Sequence, residues 1–194
     1  LVTQNDPSDF KDLKGYFDLI VVDAPCSGEG LFRKDREARN EWSLKNVHLC
    51  SERQRRILAD IYPALSKNGV MIYCTCTFNT MENEESLKWL ANRHDVEFIK
   101  IPDARSLGIV EVEENGLIGY RFYPHQLEGE GFFIFGIIKR GEERTADFKQ
   151  KKGSKSNREI PQPLKSWLAS ESDLVNISHN EIIKLFPEKW MTEA

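Results

Sequence analysis

The amino-acid sequence predicts an α/β fold, in which helices cover a sheet that contains parallel strands. The first observation is "FDLIVV" at 17–22, an unbroken apolar run that is typical of a strand buried on both faces of a parallel sheet. The second is the order of segments, because strand, helix, strand, helix and strand follow one another along the chain. The third is "DAPCSGEG" at 23–30, which ends the first strand where α/β sheets bind ligands.

The first half of the predicted sheet consists of two strands joined by a helix. Residues 17–23 form the first strand, and apolar side chains recur at helical spacing across 51–66. These side chains are Ile57, Leu58, Ile61, Tyr62 and Leu65. "KNG" at 67–69 ends this helix, with Gly69 available for a left-handed cap, and "VMIYCTC" at 70–76 is the second strand.

The second half continues the alternation. "NTMENEESLKWLANRH" at 79–94 predicts a helix with Asn79 as its N-cap and Glu82 completing a capping box. "VEFIKI" at 96–101 is the third strand and "GFFIFGIIKR" at 131–140 the fourth, with 120–123 expected to pair with the fourth. The order predicts parallel pairing, with the late strands added at an edge of the sheet.

The bulk composition excludes several classes of protein. The chain has 194 residues, of which 40% are hydrophobic, and a net charge of −4. No apolar run is long enough to span a membrane, and the first residues do not resemble a signal peptide, so no membrane partner is expected. The chain lacks an initiator Met, which suggests that Leu1 is an internal residue of a longer protein. The four cysteines are irregularly spaced, which predicts a reducing cytoplasm and no zinc site.

Basic residues are clustered although the net charge is negative. Arg33 and Lys34 open a cluster that follows the 23–30 motif and also includes Arg36 and Arg39. Each of the chain's basic clusters taken alone is most simply a solvated face. Only this cluster lies beside a candidate active site, so it is the candidate contact for phosphate groups.

The composition changes after the fourth strand. Residues 141–160, "GEERTADFKQKKGSKSNREI", are polar and without periodicity, which predicts a linker. This interpretation divides the chain into a catalytic domain at 1–140, a linker at 141–160 and a further region at 161–194. The last 34 residues contain two short amphipathic pieces and are too few for a large core. They are either a helical appendage or the start of a second domain.

Two strand ends each present a thiol. Cys26 follows the first strand and Cys76 ends the second, so both are expected in the same crevice, while Cys74 is expected to be a packing residue. Three interpretations compete: buried structural thiols, a redox pair, and nucleophilic catalysis in which a thiolate attacks an electrophilic carbon. The acid at Asp23, beside the thiols, favours the third.

The motifs around these thiols resemble a known family. "DAPCSGEG" and "TCTFNTMENE" are similar to motifs IV and VI of the RNA 5-methylcytosine methyltransferases of the Nol–Nop–Sun type, and most similar to their RsmF-like branch, which methylates ribosomal RNA. "GLFRKDREARNEWS" and "YPHQLEGEGFFIFGIIKR" resemble further segments of that branch. The resemblance covers about 1–140 and is weak beyond. It implies the C-terminal part of a Rossmann-like class I methyltransferase sheet, followed by the start of a small C-terminal RNA-binding region.

The resemblance also implies a reaction and a site. The cofactor is S-adenosylmethionine and the substrate a cytosine in RNA, expected to be ribosomal RNA in the cytoplasm. Cys76 maps onto the nucleophile that attacks carbon 6, and Cys26 onto the thiol that assists product release. Asp6 and Asp23 map onto donor contacts.

The remaining assignments concern the substrate and the extent of the chain. Asp23, Pro25, Arg33 and Lys34 are expected at the RNA substrate. The family's glycine-rich donor loop and a lysine lie upstream of motif IV, where this chain has too few residues, so we expect a C-terminal portion of the enzyme. The alternatives are a non-catalytic RNA-binding or ribosome-assembly module and a thiol redox protein.

Overall fold

A computed structural model describes residues 3–141, 162–165, 174–179 and 182–187. The chain separates into two compact units, Leu1–Asp147 and Phe148–Ala194. The first unit contains the helices α1 (Arg36–Glu41), α2 (Leu44–Ile61) and α3 (Glu84–Ala91). Its six strands are β1 (Phe17–Asp23), β2 (Leu65–Thr75), β3 (Val96–Phe98), β4 (Val110–Glu114), β5 (Leu117–Phe122) and β6 (Phe132–Lys139). The α/β class is therefore as the sequence predicts.

The six strands form one sheet in the order β1-β2-β6-β5-β4, with β3 also paired to β6. β1 and β2 are parallel, with Asp23 opposite Cys74 at their carboxyl ends. All other pairs are antiparallel. The expectation of parallel pairing is therefore wrong for β3. Because β6 occupies the second edge of β2, β3 has no parallel neighbour and joins the far edge of β6 instead. The expected pairing of 120–123 with β6 is confirmed for Tyr120–Phe122.

The core lies on one face of β2 and β6. Alternate residues of β6 are fully buried, namely Phe133, Phe135 and Ile137, and Tyr73 of β2 stacks on Phe135 at 4.8 Å between ring centroids. In β1, Ile20 and Val22 are buried, but Leu19 and Val21 are 57% and 60% exposed. Among the described residues the prediction of burial on both faces is thus wrong, because the face of β1 that carries Leu19 and Val21 is largely open to solvent.

The helix before β2 differs from the prediction at both ends. It begins at Leu44, because the Ser43 side chain accepts a hydrogen bond from the Asn46 backbone and caps it. It ends at Ile61, where Pro63 lies in a following 3₁₀ turn and cannot donate to the helix ladder. The left-handed residue is Asn68, with φ of 62°, and not Gly69. Asn68 lies in an irregular stretch of β2, whose register with β1 shifts before Val70.

The helix after β2 is shorter than predicted. It covers Glu84–Ala91, and its N-cap is Asn83, not Asn79. The predicted capping box is wrong because Glu82 is fully buried and accepts hydrogen bonds from outside this helix.

The second unit is described in three pieces: a short helix α4 (Gln162–Lys165) and two antiparallel strands, β7 (Leu174–His179) and β8 (Ile182–Pro187). The later amphipathic piece is therefore a strand where the structure describes it, and not part of a helical appendage. Residues 142–160 of the expected linker lie outside the described residues. Among the helices described, none is long and apolar enough to cross a membrane.

Candidate functional site

The two thiols Cys26 and Cys76 meet at the carboxyl ends of β1 and β2. Because these strands are parallel neighbours in register, the loops that follow them leave the sheet side by side. The Ala24 backbone N–H donates to the Cys74 carbonyl at 2.9 Å and holds the first loop against the second strand. The Sγ atoms of Cys26 and Cys76 are 3.1 Å apart, within hydrogen-bond distance for sulfur. The expected proximity of the two thiols is confirmed.

The environment makes the two thiols unequal. The hydrogen bond from Cys26 lowers the pKa of Cys76 to about 7, although burial and the nearby Asp23 and Glu130 act in the opposite direction. The same hydrogen bond, followed by burial, raises the pKa of Cys26 far above its ordinary value. At neutral pH, close to the pKa of Cys76, a substantial fraction of the molecules therefore carries a thiolate on Cys76, with the proton of the pair kept on Cys26.

The other two cysteines are not activated. Burial, followed by the charge of Asp23, raises the pKa of Cys74 to about 11, and the Cys74 Sγ lies 3.7 Å from an Asp23 carboxylate oxygen. Burial also raises the pKa of Cys50. Cys76 is thus the thiol whose environment favours the nucleophilic form, and Cys74 packs between the strands as expected.

A buried polar network joins the loop of Cys26 to the chain that follows Cys76. The Glu82 carboxylate accepts hydrogen bonds from the Ser27 backbone N–H and from Gln54 Nε2, both at 2.9 Å. Gln54 Nε2 also donates to the Pro25 carbonyl at 2.9 Å. Both Glu82 and Gln54 are fully buried, and burial raises the pKa of Glu82. Sequence reasoning missed this network, because Glu82 stands where a capping residue would and Gln54 lies in an ordinary helix.

Hydroxyl and amide side chains add a second set of links between the loops. The Ser27 and Thr77 hydroxyl oxygens are 3.0 Å apart, and Asn83 donates to the Thr77 carbonyl at 2.9 Å. Glu29 accepts from the Phe78 backbone N–H at 3.1 Å and from the Trp42 indole at 2.9 Å. These bonds fix both thiol-bearing loops, as a reactive site requires.

Gly30 lies where three segments approach one another. Its N–H donates to the Cys76 carbonyl at 2.9 Å, and its carbonyl faces the Gly131 N–H at 3.4 Å. A Cβ on Gly30 would lie 2.3 Å from the Gly131 carbonyl oxygen and 2.8 Å from that of Cys76. Only glycine therefore fits here without moving the backbone that carries Cys76.

The two predicted donor contacts, Asp6 and Asp23, take no part in the hydrogen bond between the two thiols. Asp6 caps a 3₁₀ helix (Pro7–Phe10), and its two carboxylate oxygens pair with the Arg56 guanidinium at 2.9 and 3.0 Å. This pairing holds the pKa of Asp6 well below its usual range. Asp23 is exposed at the end of β1. An open apolar groove beside β1 runs between Pro7 and Asp23, and its walls include Phe10 and Ile57.

This groove has chemistry that suits S-adenosylmethionine. Apolar walls can pack against an adenine ring, and carboxylates can accept hydrogen bonds from ribose hydroxyls or from an ammonium group. Asp23 has an exposed carboxylate for that purpose, whereas the Asp6 oxygens already accept from Arg56 and Ser8. The residues present fit part of the donor molecule.

The predicted substrate residues Arg33 and Lys34 lie on the exposed rim of the site. Arg33 donates to the Gly129 carbonyl at 2.9 Å, and Lys34 forms an ion pair with Glu130 at 2.9 Å. Both side chains therefore contact the loop before Gly131, which itself contacts Gly30. Pro25 lies on the inner side, where its carbonyl is held by Gln54. No group of three or more metal-binding side chains occurs within the described part of the chain.

Comparisons with known proteins show what this chain is similar to. A family described as 16S rRNA methyltransferase RsmB/F matches residues 1–138. Ribosomal RNA small subunit methyltransferase F of Pectobacterium atrosepticum is 37% identical over 131 residues, which cover 66% of this chain and 27% of that protein. Its namesake from Psychromonas ingrahamii is 30% identical over 188 residues, covering 92% of this chain and 39% of that protein. The chain thus spans well under half the length of these relatives.

Solved structures share the fold. A methyltransferase homolog protein from Pyrococcus horikoshii is 26% identical with a TM-score of 0.58, over 72% of this chain and 44% of that one. NSun6 from the same organism, solved with SFG, is 24% identical with a TM-score of 0.55, over 73% of this chain and 35% of that one. The sheet described above is therefore that of a Rossmann-like class I methyltransferase.

Proposed function

This chain belongs to the family of the 16S rRNA methyltransferases RsmB/F, and from that premise we propose that it methylates carbon 5 of a cytosine in ribosomal RNA through a covalent adduct on Cys76. The observation that carries the proposal is the 3.1 Å contact between the Cys26 and Cys76 sulfurs, with the thiolate favoured on Cys76. The names of the relatives support ribosomal RNA as the substrate. A cytoplasmic reaction is part of the same proposal.

The reaction requires a nucleophile from the enzyme, because carbon 5 of cytosine is itself too weak a nucleophile to take a methyl group directly. The Cys76 thiolate adds to carbon 6, and the electron pair of the 5,6 double bond moves toward carbon 5 and the ring. Carbon 5 then takes the methyl group, and the bond from that methyl to the donor's sulfonium sulfur would break with its electron pair left on the sulfur. Loss of the carbon 5 proton and expulsion of the Cys76 sulfur restore the double bond and release 5-methylcytosine.

Cys26 has a defined part in the release step. The two sulfurs share one hydrogen bond, and with the proton on Cys26 this bond can stabilise the Cys76 thiolate before attack and again as that thiolate leaves carbon 6. A carboxylate at Asp23 near the cytosine edge would stabilise a proton at ring nitrogen 3 as the adduct forms.

S-adenosylmethionine supplies the methyl group when bound. SFG, an analogue of S-adenosylmethionine, in the NSun6 neighbour supports this choice of cofactor. Asp23 and Asp6 would hold it along the groove beside β1, with the Asp6 contact made from a carboxylate that Arg56 already orients.

The RNA must present an unstacked base to this crevice, since both thiols are partly buried. Arg33 and Lys34 are proposed to contact the phosphates that flank this base, with Pro25 shaping the entrance. Their exposed positions on the rim of the site support this role.

Thiol redox activity is the alternative that a specific observation favours, because two sulfurs 3.1 Å apart need little movement to form a disulfide. A binding module without catalysis is the other alternative. RNA that contains 5-fluorocytosine at the target position separates them, because the fluorine cannot leave as a proton does and the adduct is trapped.

The trapping experiment uses the complete gene product with S-adenosylmethionine and fluorinated ribosomal RNA. We expect a denaturant-resistant complex whose digestion maps the cytosine to the peptide that carries Cys76, with Cys50→Ser as a control that traps equally. RNA binding without a covalent complex would support the non-catalytic binding module instead. A Cys26–Cys76 disulfide formed in place of an adduct would support thiol redox activity instead.

A further inference from the structure

The buried carboxylate of Glu82 has no place in the chemistry proposed above. Glu82 is fully buried, and the groups that donate hydrogen bonds to it, on Ser27 and Gln54, are neutral. Its second oxygen, Oε1, has no partner among the described residues. A buried carboxylate held by neutral donors is costly for a fold, and an amide could accept the same two bonds. The contacts of Glu82 therefore need a functional explanation.

These contacts fix the backbone on both sides of Cys26. The Ser27 N–H belongs to the peptide unit that follows Cys26, and this N–H donates to Glu82. The Pro25 carbonyl belongs to the peptide unit that precedes Cys26, and it accepts from Gln54, whose same nitrogen also donates to Glu82. When both peptide planes are held, the backbone dihedral angles of Cys26 are held, and with them the direction of its Cβ–Sγ bond.

Glu82 is in turn fixed to the strand that presents Cys76. The Tyr73 hydroxyl donates to the Glu82 carbonyl at 2.9 Å, and Tyr73 is a fully buried residue of β2. Glu82 thus links the Cys76 strand, through its backbone carbonyl, to the Cys26 loop 55 residues away in sequence, through its side chain. The position of one thiol is set relative to the other through this side chain.

We infer that Glu82 is a positioning residue, which orients the Cys26 thiol toward Cys76 and so sustains both the thiolate and product release. The part concerning release rests on the function proposed above, whereas the orientation of the thiol pair does not. This positioning depends on the length of the side chain at 82 and not on its charge, because the donors are neutral and only one carboxylate oxygen accepts hydrogen bonds.

Two substitutions of Glu82 separate the effect of side-chain length from the effect of charge. Glu82→Gln keeps the length of the side chain and an oxygen that can accept from Ser27 and Gln54, but it removes the charge. Glu82→Asp keeps the charge but withdraws it by one methylene, about 1.5 Å, which is too far for a bond now 2.9 Å long. If Glu82 acted only through its negative charge, Glu82→Asp would behave as the wild type. Glu82→Gln, which lacks that charge, would then have a lower pKa at Cys76.

The first measurement is the rate of Cys76 alkylation by iodoacetamide against pH, read by peptide mapping in the complete gene product. We expect Glu82→Gln to keep the wild-type midpoint. Glu82→Asp should move it upward; a midpoint raised by about one unit from about 7 reduces alkylation at pH 7 by roughly fivefold, because the thiolate fraction falls from about one half to about one tenth. Gln54→Met, which removes the donor to Pro25, should also raise the midpoint of Cys76 alkylation. This variant replaces Glu82→Asp in the test if Glu82→Asp does not fold.

The second measurement is the covalent complex with unmodified cytosine RNA. Glu82→Asp should accumulate this complex, because attack by Cys76 continues while release is slowed, and Glu82→Gln should not. Folded Glu82→Asp and Gln54→Met with the wild-type alkylation midpoint would overturn the inference. If no variant forms an adduct but the alkylation midpoints shift as described, the proposed function fails and the orientation of the thiol pair by Glu82 stands.

Discussion

Replacing Gly30 with alanine tests how closely the backbone around Cys76 is packed. The added Cβ would lie 2.3 Å from the Gly131 carbonyl oxygen and 2.8 Å from the Cys76 carbonyl oxygen. Both atoms belong to the backbone, so the overlap is relieved only if a loop moves and the 2.9 Å bond from Gly30 to Cys76 is weakened. Overpacking of this kind costs about 1–3 kcal/mol, and we expect the upper half of that range because neither neighbour is a flexible side chain.

The assay has a global and a local part. Urea unfolding should show Gly30→Ala destabilised by about 2–3 kcal/mol, and iodoacetamide should alkylate Cys76 more slowly than in the wild type because its carbonyl and loop are displaced. Gly116→Ala is the matched control. Gly116 has φ of 81° and no atom within 4 Å of an added Cβ, so its substitution strains the backbone locally without touching the thiols. Wild-type stability and alkylation in Gly30→Ala would refute the reasoning.

Two further predictions follow from the site. Alkylation of Cys76 should rise with pH around a midpoint near 7, because the thiolate reacts and its pKa is lowered to about 7 by Cys26. Cys26→Ala should raise that midpoint, whereas Cys26→Ser should raise it less, since a hydroxyl still donates; an unchanged midpoint in Cys26→Ala would contradict the pairing. Arg33→Ala and Lys34→Ala should each reduce the salt dependence of RNA binding, by roughly one phosphate contact in a plot of log affinity against log salt. The control is Lys88→Ala, because Lys88 forms an ion pair with Glu114. Equal salt slopes in all variants would show that Arg33 and Lys34 do not contact RNA phosphates.

Much of the site could be predicted because it follows from local patterns. The apolar run before Asp23 and the second run before Cys76 indicate two strands, and parallel neighbours bring the ends of both strands to one edge of a sheet. That geometry is sufficient to place Cys26 beside Cys76. Which of the two thiols attacks stays a prediction that the resemblance of the motifs implies, and the lowered pKa of Cys76 and raised pKa of Cys26 lie in the direction that these roles need.

The parts that could not be predicted depend on residues distant in sequence. β3 looks like a parallel strand until β6, more than thirty residues later, is seen to occupy the edge of β2 that β3 would need. Glu82 has the local setting of a helix cap, but the Ser27 N–H, 55 residues earlier, captures its carboxylate. The left-handed turn at Asn68 was expected at Gly69, and glycine's permissive backbone does not decide which of two neighbours adopts positive φ.

The central claim is that Cys76 attacks the base and Cys26 releases it, and a pair of variants in the complete gene product tests it most directly. Cys76→Ala and Cys26→Ala are each incubated with S-adenosylmethionine and unmodified ribosomal RNA, and the covalent complex is measured after denaturation. The account predicts no complex and no methylation in Cys76→Ala, but an accumulated complex in Cys26→Ala. Equal amounts of complex in the two variants, or a complex in Cys76→Ala alone, would contradict it.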